Sequence, residues 1–140
     1  MKFFSYILIL GAFCLLCSGC FPVRWQTSPG LCGVVVNAQT HAPVAGAQAV
    51  IAPIYHSDPS ADEIITNKQA LIVATDASGH FSSPPQIRWR LFVVGFMGHP
   101  VPPHAALIVR SDGYEPVVRS VWSWQTTTNL GDILLCPATK

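Results

Sequence analysis

Past its N-terminal stretch, the sequence predicts an all-β domain, a sandwich or a barrel. Three observations predict it. Apolar and β-branched runs of roughly four to eight residues recur from residue 31 onward. Gly, Pro, Asn and Asp separate these runs, and no segment sustains a helical period. Strands alternating with helical stretches would instead indicate βαβ units, and that alternation is absent.

The elements follow in order. Leu31 to Val36 is β-branched and stops at Asn37. Ala47 to Ala52 alternates, with Ala47, Ala49 and Ile51 on one face, and Pro53 ends it. Leu71 to Thr75 runs into Asp76-Ala77-Ser78-Gly79, where the Asp side chain caps backbone amides and Gly takes a positive φ. His80 to Ser82, Arg88 to Val94, Ala105 to Arg110, Val117 to Trp124 and Ile133 to Cys136 complete the set. Leu107 and Val109 are expected to face inward, with Ile108 and Arg110 outward or at an edge. Proline cannot donate to a ladder, so Pro84-Pro85 and Pro100 to Pro103 are expected in loops or edges. Two connections are long: Tyr55 to Gln69, a polar loop or a short helical turn, and the Gly/Pro/His-rich Gly95 to His104.

The N-terminus has a different character. Lys2 precedes an apolar run from Phe3 to Leu16, and Leu15-Leu16-Cys17-Ser18-Gly19-Cys20 closes it. The run is shorter than the roughly twenty residues that span a bilayer core. Ser18 and Gly19 supply the small side chains that a signal peptidase admits. These residues resemble the lipobox of bacterial lipoproteins, Leu-(Ala/Ser)-(Gly/Ala)-Cys, with Cys17 in the place usually held by Leu. The resemblance implies a signal peptide over residues 1–19 and a lipidated Cys20 carrying a diacylglyceryl thioether and an N-acyl chain. It places the protein in the bacterial envelope, facing the periplasm. Phe21, where Asp would favour inner-membrane retention, leans towards the outer membrane. An ordinary secretory signal whose cysteines are incidental is the alternative. Phe21 to Gly30, with two prolines, reads as a tether.

Charged residues are 11% of the chain and the net charge is +1. Removing the leader takes Lys2 with it and leaves seven basic and seven acidic residues. A nucleic-acid surface shows a clustered basic excess, so nucleic acid is not an expected partner. Of five cysteines, Cys14 and Cys17 leave with the leader and Cys20 is consumed by lipid. Cys32 and Cys136 remain, either as a disulfide in an oxidising periplasm or as two separate thiols.

Four pieces occur in a fixed order: Gly33-Val34-Val35-Val36, Pro43-Val44-Ala45-Gly46-Ala47, Thr75-Asp76-Ala77-Ser78-Gly79-His80-Phe81 and Gly113-Tyr114. Together they resemble the carboxypeptidase regulatory-like domain. That resemblance implies a transthyretin-like (prealbumin-like) Greek-key β-sandwich of about seven strands over residues 31–137. It implies no peptidase activity, since in carboxypeptidases the module is an accessory beside the catalytic domain. The Tyr55–Gln69 and Gly95–His104 stretches are longer than the family pattern. Hydrolases of transthyretin-like fold end in Tyr-Arg-Gly-Ser, whereas this chain ends Pro137-Ala138-Thr139-Lys140.

Catalytic chemistry finds little support. His56, His80, His99 and His104 match no zinc spacing and read as loop histidines, so no metal or cofactor is expected. No Gly-x-Ser-x-Gly elbow occurs, and the adjacent Asp62-Glu63 pair reads as solvated. Three tryptophans are the candidate binding residues: Trp89 between Arg88 and Arg90, and Trp122 and Trp124 on one face of a strand. With His99 and His104 they form a candidate surface for a glycan or an envelope protein, unless the indoles cover the core. Two functions follow as expectations. One is a lipid-anchored, non-enzymatic sandwich with structural or protein-interaction roles. The other is a module for carbohydrate or peptidoglycan fragments.

Overall fold

A computed structural model of the chain describes residues 20–54, 56, 58–93 and 102–139. The leader expected over 1–19 lies outside them. Nine strands and one helix occur in the described residues: β1 Cys20–Ser28, β2 Gly30–Asn37, β3 Gln48–Pro53, α1 Ala61–Thr66, β4 Leu71–Ala74, β5 His80–Ser82, β6 Gln86–Val93, β7 His104–Arg110, β8 Val117–Trp122 and β9 Thr127–Leu135. The fold is all-β, as expected. The strands form a four-stranded sheet β4-β3-β7-β8, a three-stranded sheet β5-β2-β9 and a pair β1-β6.

The described residues divide into two compact units, one holding residues 20–25 and 87–93 and the other those between 26 and 86 with 102–139. The larger unit is the sandwich. Its core joins Leu31 and Val35 of β2, Phe81 of β5 and Ile133 and Leu135 of β9 to Ala49 and Ile51 of β3, Leu107 and Val109 of β7 and Val121 of β8. Both sheets therefore bury one face against the other. In the smaller unit, the segment expected as a tether instead enters strand β1, whose partner is β6. Thr27 to Gly30, at the end of that segment, are buried within the larger unit.

Turn chemistry follows the sequence. The Asp76 carboxylate accepts from the backbone amides of Ser78 and His80, each at 2.9 Å, and from the Ser78 hydroxyl at 2.8 Å. Those bonds, the Ser78 hydroxyl foremost, hold its carboxyl below the ordinary range. Gly79 has φ +75°, and a Cβ there would sit 2.5 Å from the Val35 carbonyl oxygen, so glycine is required on two counts. Buried Thr75 donates through Oγ1 to the Val44 carbonyl (2.7 Å) and accepts from the Ala47 amide (2.9 Å). Two of the ordered sequence pieces are thereby tied together. Tyr114 is half-buried, and its hydroxyl accepts from the Asn37 side-chain amide at 3.1 Å.

One expectation about burial changes. Ala47, Ala49, Ile51, Leu107 and Val109 do face the core, but Ile108 is as buried as they are. The outer face of β3 and β7 is covered: Val50, Ala52, Ile54, Ala106 and Ile108 pack with Ile64 of α1. The long Tyr55–Gln69 connection thus supplies the cover for that face. Ser60 caps α1 by accepting from the Glu63 amide at 3.2 Å, and Asp62 and Glu63 lie in the first turn. A helix of six residues does not persist on propensity, so tertiary packing through Ile64 holds it.

The Cys32–Cys136 pair is excluded by topology. β2 and β9 run parallel, with Cys32 opposite Asn129 and Asn37 opposite Leu135. Cys136 therefore lies about 20 Å along the strand from Cys32, at roughly 3.3 Å per residue. A disulfide requires Cα atoms within about 7 Å. Both thiols are free; Cys32 is half-buried with its Sγ 3.8 Å from the Thr128 carbonyl oxygen, and Cys136 is exposed.

Two substitutions test this architecture. Ile64→Ala should cost about 2–5 kcal/mol in chemical denaturation, whereas exposed Ile65→Ala should stay within about 0.5 kcal/mol. Equal costs would mean that α1 does not seal the sheet. Gly79→Ala should destabilise by more than about 1 kcal/mol, because the left-handed backbone and the Val35 carbonyl both oppose a methyl group.

Candidate functional site

The outer face of the four-stranded sheet is built in rows set by strand register. Gln48 pairs with Ala74 and Arg110 to give a polar row at one end. The next row is apolar, Ile72–Val50–Ile108–Val118, and then comes Ala52–Ala106–Ser120. At the far end His104 of β7 pairs with Trp122 of β8.

His104 is not a loop histidine. It opens β7 and is 3% exposed, with its ring stacked on Trp122 at a centroid distance of 3.8 Å and an interplanar angle of 13°. Neither ring nitrogen has a hydrogen-bond partner among the described residues. Burial pushes the imidazole pKa below its ordinary value. The Ile54 backbone opposes that shift without reaching hydrogen-bond geometry, and charge on His56 adds to it. His56 itself is exposed, with Nε2 2.7 Å from Glu63 Oε1.

The tryptophans divide. Trp122 is 44% exposed and Trp124 62%, so neither indole belongs to the core. Strand β8 ends at Trp122, and Trp124 lies in the bend that follows, so the two do not share a strand face. Trp89 is 69% exposed on β6, in the other unit. His99 and most of the Gly95–His104 connection lie outside the described residues. Of the five expected surface residues, the structure stacks His104 on Trp122 and places Trp124 two residues further on, in the turn.

The turn after β8 is tied down at several points. The Ser123 amide donates to the Pro103 carbonyl (3.2 Å), and the Gly30 amide to the Thr126 carbonyl (2.8 Å). The Gln125 amide donates to Ser123 Oγ (3.1 Å), and Gln26 Nε2 to the Gln125 carbonyl (3.2 Å). None of these polar partners was singled out in the sequence. Their backbone bonds depend on which strand ends meet, and spacing along the chain carries no signal of that.

An open cleft of about 590 Å³ at the opposite end of the same sheet is lined by Ala45, Gly46, Gln48, Arg110, Ser111 and Asp112. Arg110 directs Nε and Nη2 to Gln48 Oε1, at 3.1 and 2.8 Å. The cleft contains none of the residues expected from sequence. Among the described residues, no three His, Cys, Asp or Glu side chains cluster to hold a metal ion. No helix among them is long and apolar enough to cross a membrane.

No family model matches the chain, and no curated protein matches it. Solved structures similar to it include 3-chlorocatechol 1,2-dioxygenase from Rhodococcus opacus 1CP, at 15% identity and a TM-score of 0.46, covering 81% of this chain and 62% of that one. Chlorocatechol 1,2-dioxygenase from Pseudomonas putida is similar at 17% identity and a TM-score of 0.45, covering 84% and 61%. Catechol 1,2-dioxygenase from Pseudomonas arvilla C-1 follows at 13% identity and a TM-score of 0.46, covering 82% and 54%. The chain thus spans less than two thirds of these enzymes. Likeness at this level carries no argument about activity.

Burial of His104 has a pH consequence. The unfolded ring takes up a proton near pH 6.5, whereas the folded ring resists it, so the unfolded state binds more protons as the solution acidifies. The contribution of His104 is fully present above about pH 6.5 and is lost as pH falls through the lower folded value. His104→Phe keeps a flat ring against Trp122 and removes the titration. Stability of this variant, measured by denaturation between pH 7 and 5, should fall less steeply than that of the parent chain. Parallel slopes would sink the assignment.

Proposed function

We propose that the chain is a lipid-anchored lipoprotein of the bacterial envelope, facing the periplasm. Its β-sandwich is non-catalytic and serves structural or protein-interaction roles. The observation that carries this reading is the run Leu15 to Cys20, in which small Ser18 and Gly19 precede a cysteine at the end of an apolar stretch. Two or more acyl chains anchor stably, each buried methylene contributing about 0.8 kcal/mol. Phe21 favours the outer over the inner membrane. The ordered pieces from Gly33 to Tyr114 support a carboxypeptidase regulatory-like domain of transthyretin-like form.

A second reading, a module for carbohydrate or peptidoglycan fragments, is favoured by the exposure of Trp122 and Trp124.

Metabolic labelling with a palmitate analogue tests the anchor. The parent chain should incorporate label and partition with membranes, and Cys20→Ser should lose both. Label retained in Cys20→Ser would place the acyl chain elsewhere, and no label in the parent chain would remove the anchor altogether.

A further inference from the structure

Trp122 sits on β8, the last strand of its sheet, and its near-parallel stack on His104 occupies one face of the indole. The opposite face points away from His104, and the residue remains 44% exposed. An exposed tryptophan ordinarily samples several rotamers, and locking one in advance lowers the entropic cost of binding. His104 supplies that lock. Its ring is buried and stacked flat on the indole, and burial disfavours its charged form.

Two residues on, Trp124 is 62% exposed in a turn fastened by hydrogen bonds from Gly30, Gln26 and its own Ser123. Around it Gln125, Thr126, Thr127 and Asn129 are exposed. From Ser120 to Gly131 the chain carries no charged residue. Such a surface offers aromatic faces together with amides and hydroxyls, and no counter-charge. Pyranose rings present that complement: C–H faces that stack on an indole, and a rim of hydroxyls that exchange hydrogen bonds. An anionic ligand would find no cation on this segment. A bilayer would have to strip water from the Thr and Gln groups without returning hydrogen bonds.

We propose that the turn from Trp122 to Asn129 is a binding site for a neutral oligosaccharide, with Trp122 and Trp124 as its stacking platforms and His104 as the positioning residue behind Trp122. The proposal rests on the second functional reading above and is independent of the lipid anchor.

The test uses the full-length chain in detergent micelles, titrated with cellotetraose and chitotetraose as neutral probes and with tetragalacturonate as the anionic one. Calorimetry and tryptophan emission follow binding. A neutral probe should bind saturably, and Trp122→Ala and Trp124→Ala should each weaken it by about tenfold or more. His104→Ala should weaken it too, while His104→Phe, which keeps a flat ring behind Trp122, should restore it. A merely structural role for His104 would lower thermal stability without this split in affinity. Neutral binding that survives both tryptophan substitutions overturns the site while leaving the second reading intact. A preference for tetragalacturonate overturns the neutral class. Binding of no glycan overturns proposal and reading together. Quenching of Trp124-dependent emission by brominated phosphatidylcholine, after reconstitution into vesicles, would assign the turn to the membrane instead.

Discussion

Antiparallel pairing of β3 with β7 sets Val50 beside Ile108 and Ala52 beside Ala106 on one face, and Ala49 beside Val109 and Ile51 beside Leu107 on the other. All eight side chains are buried, which requires two covers rather than one. The three-stranded sheet provides the inner cover and α1 the outer. A sheet with one dry and one wet face would show clean alternation along its strands. β7 instead reads as a near-continuous apolar run, and its helix cover is short because only two strands need shielding.

That double burial fixes what the ends of the outer face can be. α1 contributes Ile64 over the middle rows. Beyond them lie a polar row at Gln48 and Arg110, and an aromatic row at His104 and Trp122. The polar row needs no cover, since Arg110 finds Gln48 and water. The aromatic row achieves burial differently: Trp122 lies flat on His104 and excludes solvent from the ring while remaining half-open itself. An imidazole so placed forfeits hydrogen bonds, which costs free energy that packing on the indole must offset.

The strands whose apolar residues announce themselves are legible in the sequence. The expected bounds of β5 coincide with those observed, and those of β3, β4 and β7 lie within a residue or so. The inward faces of Ala49, Ile51, Leu107 and Val109 and the turn at Asp76 and Gly79 were legible because alternation and local turn chemistry are short-range. β1 and the first two thirds of β9 were not. Thr127 to Asp132 is a mainly polar sheet-edge segment held by pairing to β2, and pairing leaves no mark in composition. Expecting a strand through Trp124 failed for a similar reason, since Ser123 turns the chain by bonding to Pro103 across the sheet. His104 reads as a loop residue in the sequence because prolines precede it. Its burial depends on Trp122, eighteen residues later, which no local pattern could reveal.

The parallel alignment of β2 with β9 connects these points. Running in the same direction, the two strands carry Cys32 and Cys136 to opposite ends of the sheet, so covalent closure between them is geometrically barred. The termini of the sandwich are therefore held by pairing and packing alone. The start of β9 is also drawn beside Gly30, whose amide fastens Thr126. The turn carrying Trp124 is thus anchored to the strand that enters the sandwich from β1. The hydrogen-bonded aromatic turn is a by-product of closing this sheet in parallel.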